Sequence, residues 1–216
     1  MTRLGRITDI ERLPGSKRAR RIWIDGAPFR TTSAAVVAAL SIQVGDDVDL
    51  DDLATRCQQA ERTAARERAL KLLSYHDFST AQVAQRLAED GYERAAIDDV
   101  VARLVETGLL DDARFGEAVA RSRLRAGYGP RVVWRDLARA GLPDASIASA
   151  LSAAADEGIG TDATSAARRL VRPRDDARRL AARLVRRGFE PTDAYRAARE
   201  VVGDAGDDLD DGPADE

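Results

Sequence analysis

The chain has 216 residues, of which 33% are charged and only 5% aromatic, and its formal net charge at pH 7 is −3. No run of about 18 apolar residues is present, which excludes a membrane-spanning helix, and the first residues lack the apolar segment of a signal peptide. One cysteine and one histidine exclude an internal disulfide and any multi-histidine metal site. Together these features predict a soluble protein of the reducing cytoplasm.

Positive and negative charges are segregated along the chain. Residues 204–216, DAGDDLDDGPADE, contain seven acids and no base, and their Asp, Gly and Pro content predicts a disordered acidic tail. Removing these seven acids from a net charge of −3 leaves residues 1–203 at +4. Lys17 and Lys71 are the only lysines, so almost all of the positive charge is arginine. A compositional bias would account for the number of arginines but not for their positions.

Residues 1–50 are predicted to form a small β-rich region. Alternating apolar residues, the turn LPGSK and the hairpin pair Asp25-Gly26 predict three short strands. A helix near 33–40 should come next, with Ser33 as its N-cap. Three strands are marginally stable alone, so this region is expected to pack on the helical part of the chain.

From the long helical segment that begins at Asp51 to residue 203, the sequence repeats itself three times. In each copy a leucine stands four residues before a glycine, an apolar residue stands eight before it, and a large apolar residue comes directly after it. The leucine and glycine pairs are Leu87/Gly91, Leu137/Gly141 and Leu184/Gly188. A glycine suits the left-handed end of a helix, and recurrence at this period is typical of stacked helical units.

The predicted fold is therefore mainly α, with tandem three-helix repeats forming an elongated array of three modules after a small N-terminal β-hairpin region. The predicted domains are the β-rich region at 1–50, repeat 1 at 51–110, repeat 2 at 111–155, repeat 3 at 156–203 and the disordered acidic tail at 204–216.

No catalytic constellation is recognisable. The segment GIGTDATS at 158–165 lacks the lysine and the preceding strand of a phosphate-binding loop, and is interpreted as a linker. Cys57 lies inside a predicted helix and His76 is expected on the surface, so the two do not form a nucleophile and base. Paired aspartates mostly stand at predicted helix starts, where capping accounts for them. We expect no enzyme activity, no metal and no cofactor.

Arginines are concentrated in repeats 2 and 3. On the short helix predicted within 128–142, Arg131, Arg135 and Arg139 recur every four residues and form one stripe, while Val133, Leu137 and Ala140 take another face. Arginine suits phosphate and carboxylate partners through its planar fork. The alternative interpretation is a solvated helix face without a partner. The candidate binding residues are Arg121, Arg123, Arg125, Arg131, Arg135, Arg139, Arg178, Arg179, Arg183, Arg186 and Arg187.

Segment 69–142 contains several short motifs in a fixed order. They are the Ala-Leu-x-x-Leu opening at Ala69, Leu70 and Leu73, then Ser79, the run GLLDD from Gly108 to Asp112, Phe115, and Gly129-Pro130. In these motifs the segment resembles the RecX family of recombination regulators, and the β-rich region is similar to the N-terminal region of its longer members. The acidic tail and the linker at 156–166 fall outside the resemblance.

The resemblance implies a regulator that binds the RecA recombinase and its filament on single-stranded DNA. It implies that the protein lies in the filament groove and inhibits strand exchange and ATP hydrolysis, with no cofactor and no catalysis of its own. The expected protein is a cytoplasmic monomer with RecA as partner, single-stranded DNA as a possible second partner, and no membrane contact.

The main alternative is a sequence-independent DNA-binding protein that acts through its arginine-rich helices. A helix-turn-helix is disfavoured because Leu87, Leu137 and Leu184 stand where such a motif needs a small residue. Repeat 3 also resembles small ubiquitin-binding domains, although a shared three-helix geometry explains that likeness more simply.

Overall fold

The computed structural model describes residues 3–159 and 162–203. The predicted disordered tail and residues 160–161 of the predicted linker lie outside the described residues. The chain divides into two compact units, Met1–Asp111 and Asp112–Glu216, and each is considered by itself. Among the described helices, none combines the length and the apolar character that a membrane span requires.

The first unit contains an antiparallel sheet and four helices. The strands are β1 (Leu4–Arg12), β2 (Ala19–Ile24), β3 (Ala27–Ser33) and β4 (Asp47–Asp49), and the helices are α1 (Ala34–Leu40), α2 (Leu50–Leu73), α3 (Thr80–Glu89) and α4 (Arg94–Glu106). The strand order is β3-β2-β1-β4. The prediction of three strands is therefore wrong by one. The missed strand, β4, has only three residues and one apolar side chain, Val48, and this is too short to show an alternating strand pattern.

The predicted turn and cap of the β-rich region are confirmed. Asp25 and Gly26 have φ angles of +52° and +79°, which fits the two-residue hairpin turn expected between twisted strands. Ser33 caps α1 by accepting a hydrogen bond at its hydroxyl from the backbone N–H of Val36. Ile7 and Ile22 on the inner sheet face are fully buried in a cluster that includes residues of α2, so the sheet packs on the helical part of its unit as predicted.

The second unit is entirely helical in its described part. Its helices are α5 (Asp112–Arg125), α6 (Pro130–Arg139), α7 (Asp144–Asp156), α8 (Ala163–Leu170), α9 (Ala177–Arg186) and α10 (Pro191–Val202). Together with α2–α4, these give the described residues three successive three-helix repeats, as predicted. Each repeat has its own apolar core.

The recurring leucine and glycine form the same turn in all three repeats. Gly91, Gly141 and Gly188 have φ angles of +94°, +83° and +92°. In each turn the residue after the glycine donates its backbone N–H to the carbonyl of the recurring leucine at 3.2 Å. The recurring leucine and the large apolar residue after the glycine are also the two positions whose side chains commonly pack together at a left-handed helix end. This contact explains why the two residues recur five positions apart in the sequence. All three leucines are 0% exposed.

Within the second unit, repeats 2 and 3 meet backbone to backbone. The N–H of Gly129 donates to the carbonyl of Arg187 at 2.7 Å, and the N–H of Arg131 donates to the carbonyl of Gly188 at 3.2 Å. A Cβ on Gly129 would lie 2.5 Å from the carbonyl group of Gly188, so only glycine fits there. The amino end of α6 therefore sits on the turn between α9 and α10, and this contact fixes the position of the candidate site.

Candidate partner-binding surface

Helix α6 presents the predicted arginine stripe, Arg131, Arg135 and Arg139, to solvent. Gly129 is the N-cap and Pro130 opens the first turn, a position where its missing N–H costs nothing. Val133 and Leu137 are 0% exposed and Ala140 is 4% exposed, as predicted for the face turned to the core. All three arginines of the stripe are exposed.

An apolar cleft lies beside the arginine stripe. Trp134 is 37% exposed and borders a cleft of about 320 Å³. Pro130 and Leu151 provide further apolar wall, and Arg131 and Arg135 line its polar edge. We call this feature the Trp134 cleft. Its lining combines an aromatic ring with two arginines, which suits either a nucleic-acid base or an apolar side chain with acidic neighbours.

The arginines of the stripe are weakly neutralised. Arg131 lies 3.4 Å from Glu190, and both side chains are more than half exposed. Arg135 lies 3.7 Å from Asp136, whose carboxylate is already paired with Arg123 at 3.0 Å. Arg139 forms no ion pair with any described residue. Exposed pairs of this geometry contribute little to folding, so the stripe retains charge for a partner.

The candidate arginines of α5 have mainly structural contacts. Arg121 donates to Glu157 from its Nε at 2.9 Å and to Glu117 from its Nη2 at 2.9 Å. Hydrogen bonding to Arg121 lowers the pKa of Glu157. Arg123 pairs with Asp136, and its guanidinium lies 5.5 Å from the centre of the Tyr128 ring. The side chain of Arg125 is exposed.

The candidate arginines of α9 and its C-cap, Arg187, divide into two groups. Arg183 is 18% exposed and binds Asp175 through two hydrogen bonds of 2.6 and 2.9 Å, which lower the pKa of that carboxyl to about 2. Arg187 donates to the carbonyl of Ala126 at 2.7 Å and covers the Tyr128 ring at 4.9 Å. The others, Arg178, Arg179 and Arg186, are exposed, and within the described chain only Arg179 has an ion pair, with Asp176 at 3.5 Å.

The structure therefore separates the eleven candidates by environment. Four are occupied in holding helices together, namely Arg121, Arg123, Arg183 and Arg187. Seven face solvent, namely Arg125, Arg131, Arg135, Arg139, Arg178, Arg179 and Arg186. The arginine stripe is the part of this second group that lies beside an apolar cleft.

The first unit contains a buried polar cluster that no sequence pattern indicates. Glu61 of α2 is 1% exposed and accepts hydrogen bonds from the Thr32 hydroxyl at 2.6 Å and from Arg30 at 3.2 Å. Burial raises the pKa of Glu61, while the bonds from Thr32 and Arg30 oppose this shift. Arg30 also pairs with Glu93. The cluster ties the sheet to repeat 1 and has a structural role.

Cys57 and His76 lie in different environments, as the sequence predicts. Cys57 is 0% exposed, and burial raises the pKa of its thiol to about 11. His76 is exposed in the loop between α2 and α3. Among the described residues, no group of three or more His, Cys, Asp or Glu side chains is arranged to hold a metal ion.

These features define a protein of tandem three-helix repeats with a basic, aromatic-bordered face. The model of the first three-helix domain of RecX matches residues 65–104, and that of the second matches residues 111–151. These ranges cover most of repeats 1 and 2, and repeat 3 lies outside them.

Curated relatives give the same family. A regulatory protein RecX of Stenotrophomonas maltophilia (strain K279a) is 36% identical over 161 residues, covering 70% of this chain and 96% of the relative. One from Mycobacterium sp. (strain KMS) is 39% identical over 135 residues, covering 56% of this chain and 72% of the relative. The chain belongs to the RecX family of regulatory proteins.

Solved structures show the same fold. A crystal structure of regulatory protein RecX matches with a TM-score of 0.55 and 19% identity over 91% of this chain and 99% of that one. A crystal structure of RecX from Lactobacillus salivarius matches with a TM-score of 0.56 and 19% identity over 66% of this chain and 97% of that one.

Proposed function

We propose that this chain regulates the RecA recombinase by binding the RecA–DNA filament and inhibiting strand exchange and ATP hydrolysis. The observation that carries the proposal is membership of a family of regulatory proteins, combined with a solvent-facing arginine stripe beside the Trp134 cleft. In this proposal the protein acts as a cytoplasmic monomer that binds along the filament groove and catalyses no reaction. Several weak contacts on successive repeats would add through their high effective concentration.

The arginine stripe supplies the main contact in this proposal. Its guanidinium groups suit acidic RecA side chains or the DNA backbone exposed in the groove. The exposed arginines Arg178 and Arg186 provide a second, smaller contact on α9.

The test is RecA ATP hydrolysis on single-stranded DNA, titrated with this protein and with a variant in which Arg131, Arg135 and Arg139 are all changed to Glu. We expect the triple variant to need at least about tenfold more protein for half inhibition, since three contacts of about 0.5 kcal/mol each reach ~1.4 kcal/mol. Its thermal melting should stay close to that of the unaltered protein, because exposed charges contribute little to folding.

A matched control is available in repeat 1. Arg86, Arg94 and Arg103 are also exposed helix arginines, with side-chain exposures of 57%, 87% and 70%. Changing these three to Glu alters the net charge equally and should shift half inhibition by less than about threefold. If the α6 variant is folded and inhibits at the same concentrations as the unaltered protein, the arginine stripe is not the contact surface.

The second candidate function is sequence-independent DNA binding through the arginine-rich helices, favoured by a cleft that is lined by Trp134 together with Arg131 and Arg135. Co-sedimentation with RecA–DNA filaments over a salt series separates the two functions. A protein held only by phosphate contacts should leave the filament as salt rises, because the affinity that counterion release supplies falls steeply with salt concentration. A protein held by contacts to RecA should remain bound.

A further inference from the structure

The Trp134 cleft is an apolar depression on an otherwise basic face. Its apolar wall comes from Trp134, Pro130 and Leu151, on α6 and α7. The stripe arginines Arg131 and Arg135 border the opening. An apolar side chain with acidic neighbours would match both parts of this lining.

The positive charge around the cleft is not matched by acids of the described fold. Arg131 and Arg135 have only ion pairs of 3.4 and 3.7 Å, and the acid nearest Arg135 is shared with Arg123. Arg139, one turn further along α6, pairs with no described acid. Charge complementarity thus calls for several carboxylates close together.

The chain itself contains a segment of that composition. Residues 204–216 hold seven acids and no base, and Leu209 is their only large apolar side chain. Leu209 stands between two pairs of aspartates, in the sequence DDLDD. We propose that residues 204–216 bind intramolecularly at the Trp134 cleft, with Leu209 against the apolar wall and the carboxylates on the arginine stripe.

The length of the segment is sufficient for this contact. Helix α10 begins beside the stripe, since Glu190 at its N-cap lies 3.4 Å from Arg131. The 12 residues of α10 span about 18 Å. Leu209 stands six residues beyond Gly203, and six extended residues span about 20 Å, which is enough to cover the length of α10. Residues 204–216 together reach on the order of 45 Å when extended.

The consequence rests on the proposed function: the acidic segment competes with the partner for the arginine stripe. The apparent affinity for the partner falls in proportion to the fraction of molecules whose stripe is uncovered. If the segment covers two thirds of the molecules, its deletion should raise the affinity for RecA–DNA filaments about threefold at low salt. High salt should remove this difference, because it screens exposed charges.

The direct test uses tryptophan emission and contains no recombinase. Trp23 and Trp134 are the two tryptophans, so a Trp23→Phe protein reports Trp134 alone. We expect deletion of residues 204–216 to shift its emission to longer wavelength, since the indole becomes more exposed. Adding a synthetic peptide of residues 204–216 should reverse the shift. Replacing the seven acids of the segment by their amides should have the same effect as the deletion.

Two controls make the outcome decisive. In a Trp134→Phe protein, Trp23 should show no change on deletion. A labelled 204–216 peptide should bind the protein truncated after Gly203, but should bind at least about tenfold more weakly when Arg131, Arg135 and Arg139 are changed to Glu; this measurement needs no tryptophan substitution. If the emission wavelength of Trp134 changes neither on deletion of residues 204–216 nor on addition of the peptide, the proposal is wrong. An emission shift that depends on protein concentration also contradicts the proposal, because it indicates that the segment binds the cleft of a second molecule.

Failure of this inference and failure of the proposed function give different results. The emission and peptide measurements depend only on this chain. RecA inhibition by the full chain and by the stripe variant tests the proposed function whether or not the acidic segment binds the cleft.

Discussion

Single buried leucines hold each repeat together. Leu137 is 0% exposed and lies in a cluster with Val133 and Ile147, while its carbonyl closes the turn at Gly141. Leu137→Ala removes apolar contacts from all three helices of repeat 2. We expect it to lower the free energy of unfolding by roughly 2–5 kcal/mol, measured by urea denaturation.

The control for this substitution is a leucine that faces water. Leu109 is 50% exposed, so Leu109→Ala should change the free energy of unfolding by less than about 0.5 kcal/mol. Equal effects at the two positions would contradict the placement of Leu137 in the core.

The ion pair between Asp175 and Arg183 makes stability depend on acid pH. Its hydrogen bonds lower the pKa of Asp175 from an ordinary value of 3.8 to about 2. Since the folded pKa is lowered, the contribution is fully present above the unfolded value and is lost as pH falls through about 2. Asp175→Asn should therefore be less stable than the unaltered protein at pH 7, and the difference should shrink between pH 4 and 2.

Urea denaturation across that pH range measures the effect. Asp193 forms a comparable ion pair with Arg196 at 2.6 Å, but both side chains are at least half exposed. Asp193→Asn should consequently cost little stability at pH 7, because exposed ion pairs contribute little to folding. If the two variants behave alike, the Asp175 pair does not have the assigned role.

The environment of each arginine could not be predicted from its position in the sequence. The spacing along α6 correctly placed Arg131, Arg135 and Arg139 on the side opposite the buried residues. It gave no sign that Arg183 binds Asp175 and the Leu170 carbonyl, 8 and 13 residues away, or that Arg187 binds the Ala126 carbonyl, 61 residues away. Helical periodicity fixes a direction around one helix, whereas such contacts depend on how helices pack.

At the level of elements, the turns were the most predictable part of the fold. A glycine after a helix, followed by a large apolar residue, has one common geometry, so Gly91, Gly141 and Gly188 could be assigned a left-handed conformation in advance. Gly129 is different because its φ is −86°, which any residue can adopt. What it requires is space against another backbone, and sequence spacing does not report that requirement.

The contact between α6 and the turn after α9 should fail when Gly129 gains a side chain. A Cβ there would lie 2.5 Å from the Gly188 carbonyl group and 2.7 Å from the Phe189 nitrogen, and both are backbone atoms that cannot rotate away. We expect Gly129→Ala to lower the free energy of unfolding by more than about 2 kcal/mol, as measured by urea denaturation.

Gly158→Ala is a suitable comparison for this variant. Gly158 has a positive φ of +68° but open space around its Cβ position. Its replacement should cost only the backbone strain, on the order of 1 kcal/mol. A larger loss at Gly158 than at Gly129 would contradict the close backbone contact.

At the scale of the whole chain, the sequence predicted the succession of a small sheet and three helical repeats. It did not predict that Glu61, in the middle of α2, is buried with Arg30 of the sheet. Long-range pairing of this kind, 31 residues apart, leaves no periodic signal. The edge strand β4 was missed for a related reason, since its place is set by pairing with β1.

The elongated array remains a prediction from the repeats. A compact domain of 216 residues would have a radius of gyration of about 17 Å. We expect solution scattering to give a clearly larger value for the chain truncated after Gly203, which removes the acidic segment from the measurement. A value at the compact figure would contradict the array.

The backbone contact between repeats 2 and 3 places few demands on the side chains of repeat 3. Its joint with repeat 2 uses the N–H groups of Gly129 and Arg131 and the carbonyls of Arg187 and Gly188, and every amino acid carries such a carbonyl. A repeat attached in this way can therefore tolerate many side-chain substitutions and keep its position, provided that Gly129 and Gly188 are retained. Repeat 3 differs from the other copies inside its core, where Ala194 stands in place of their isoleucine.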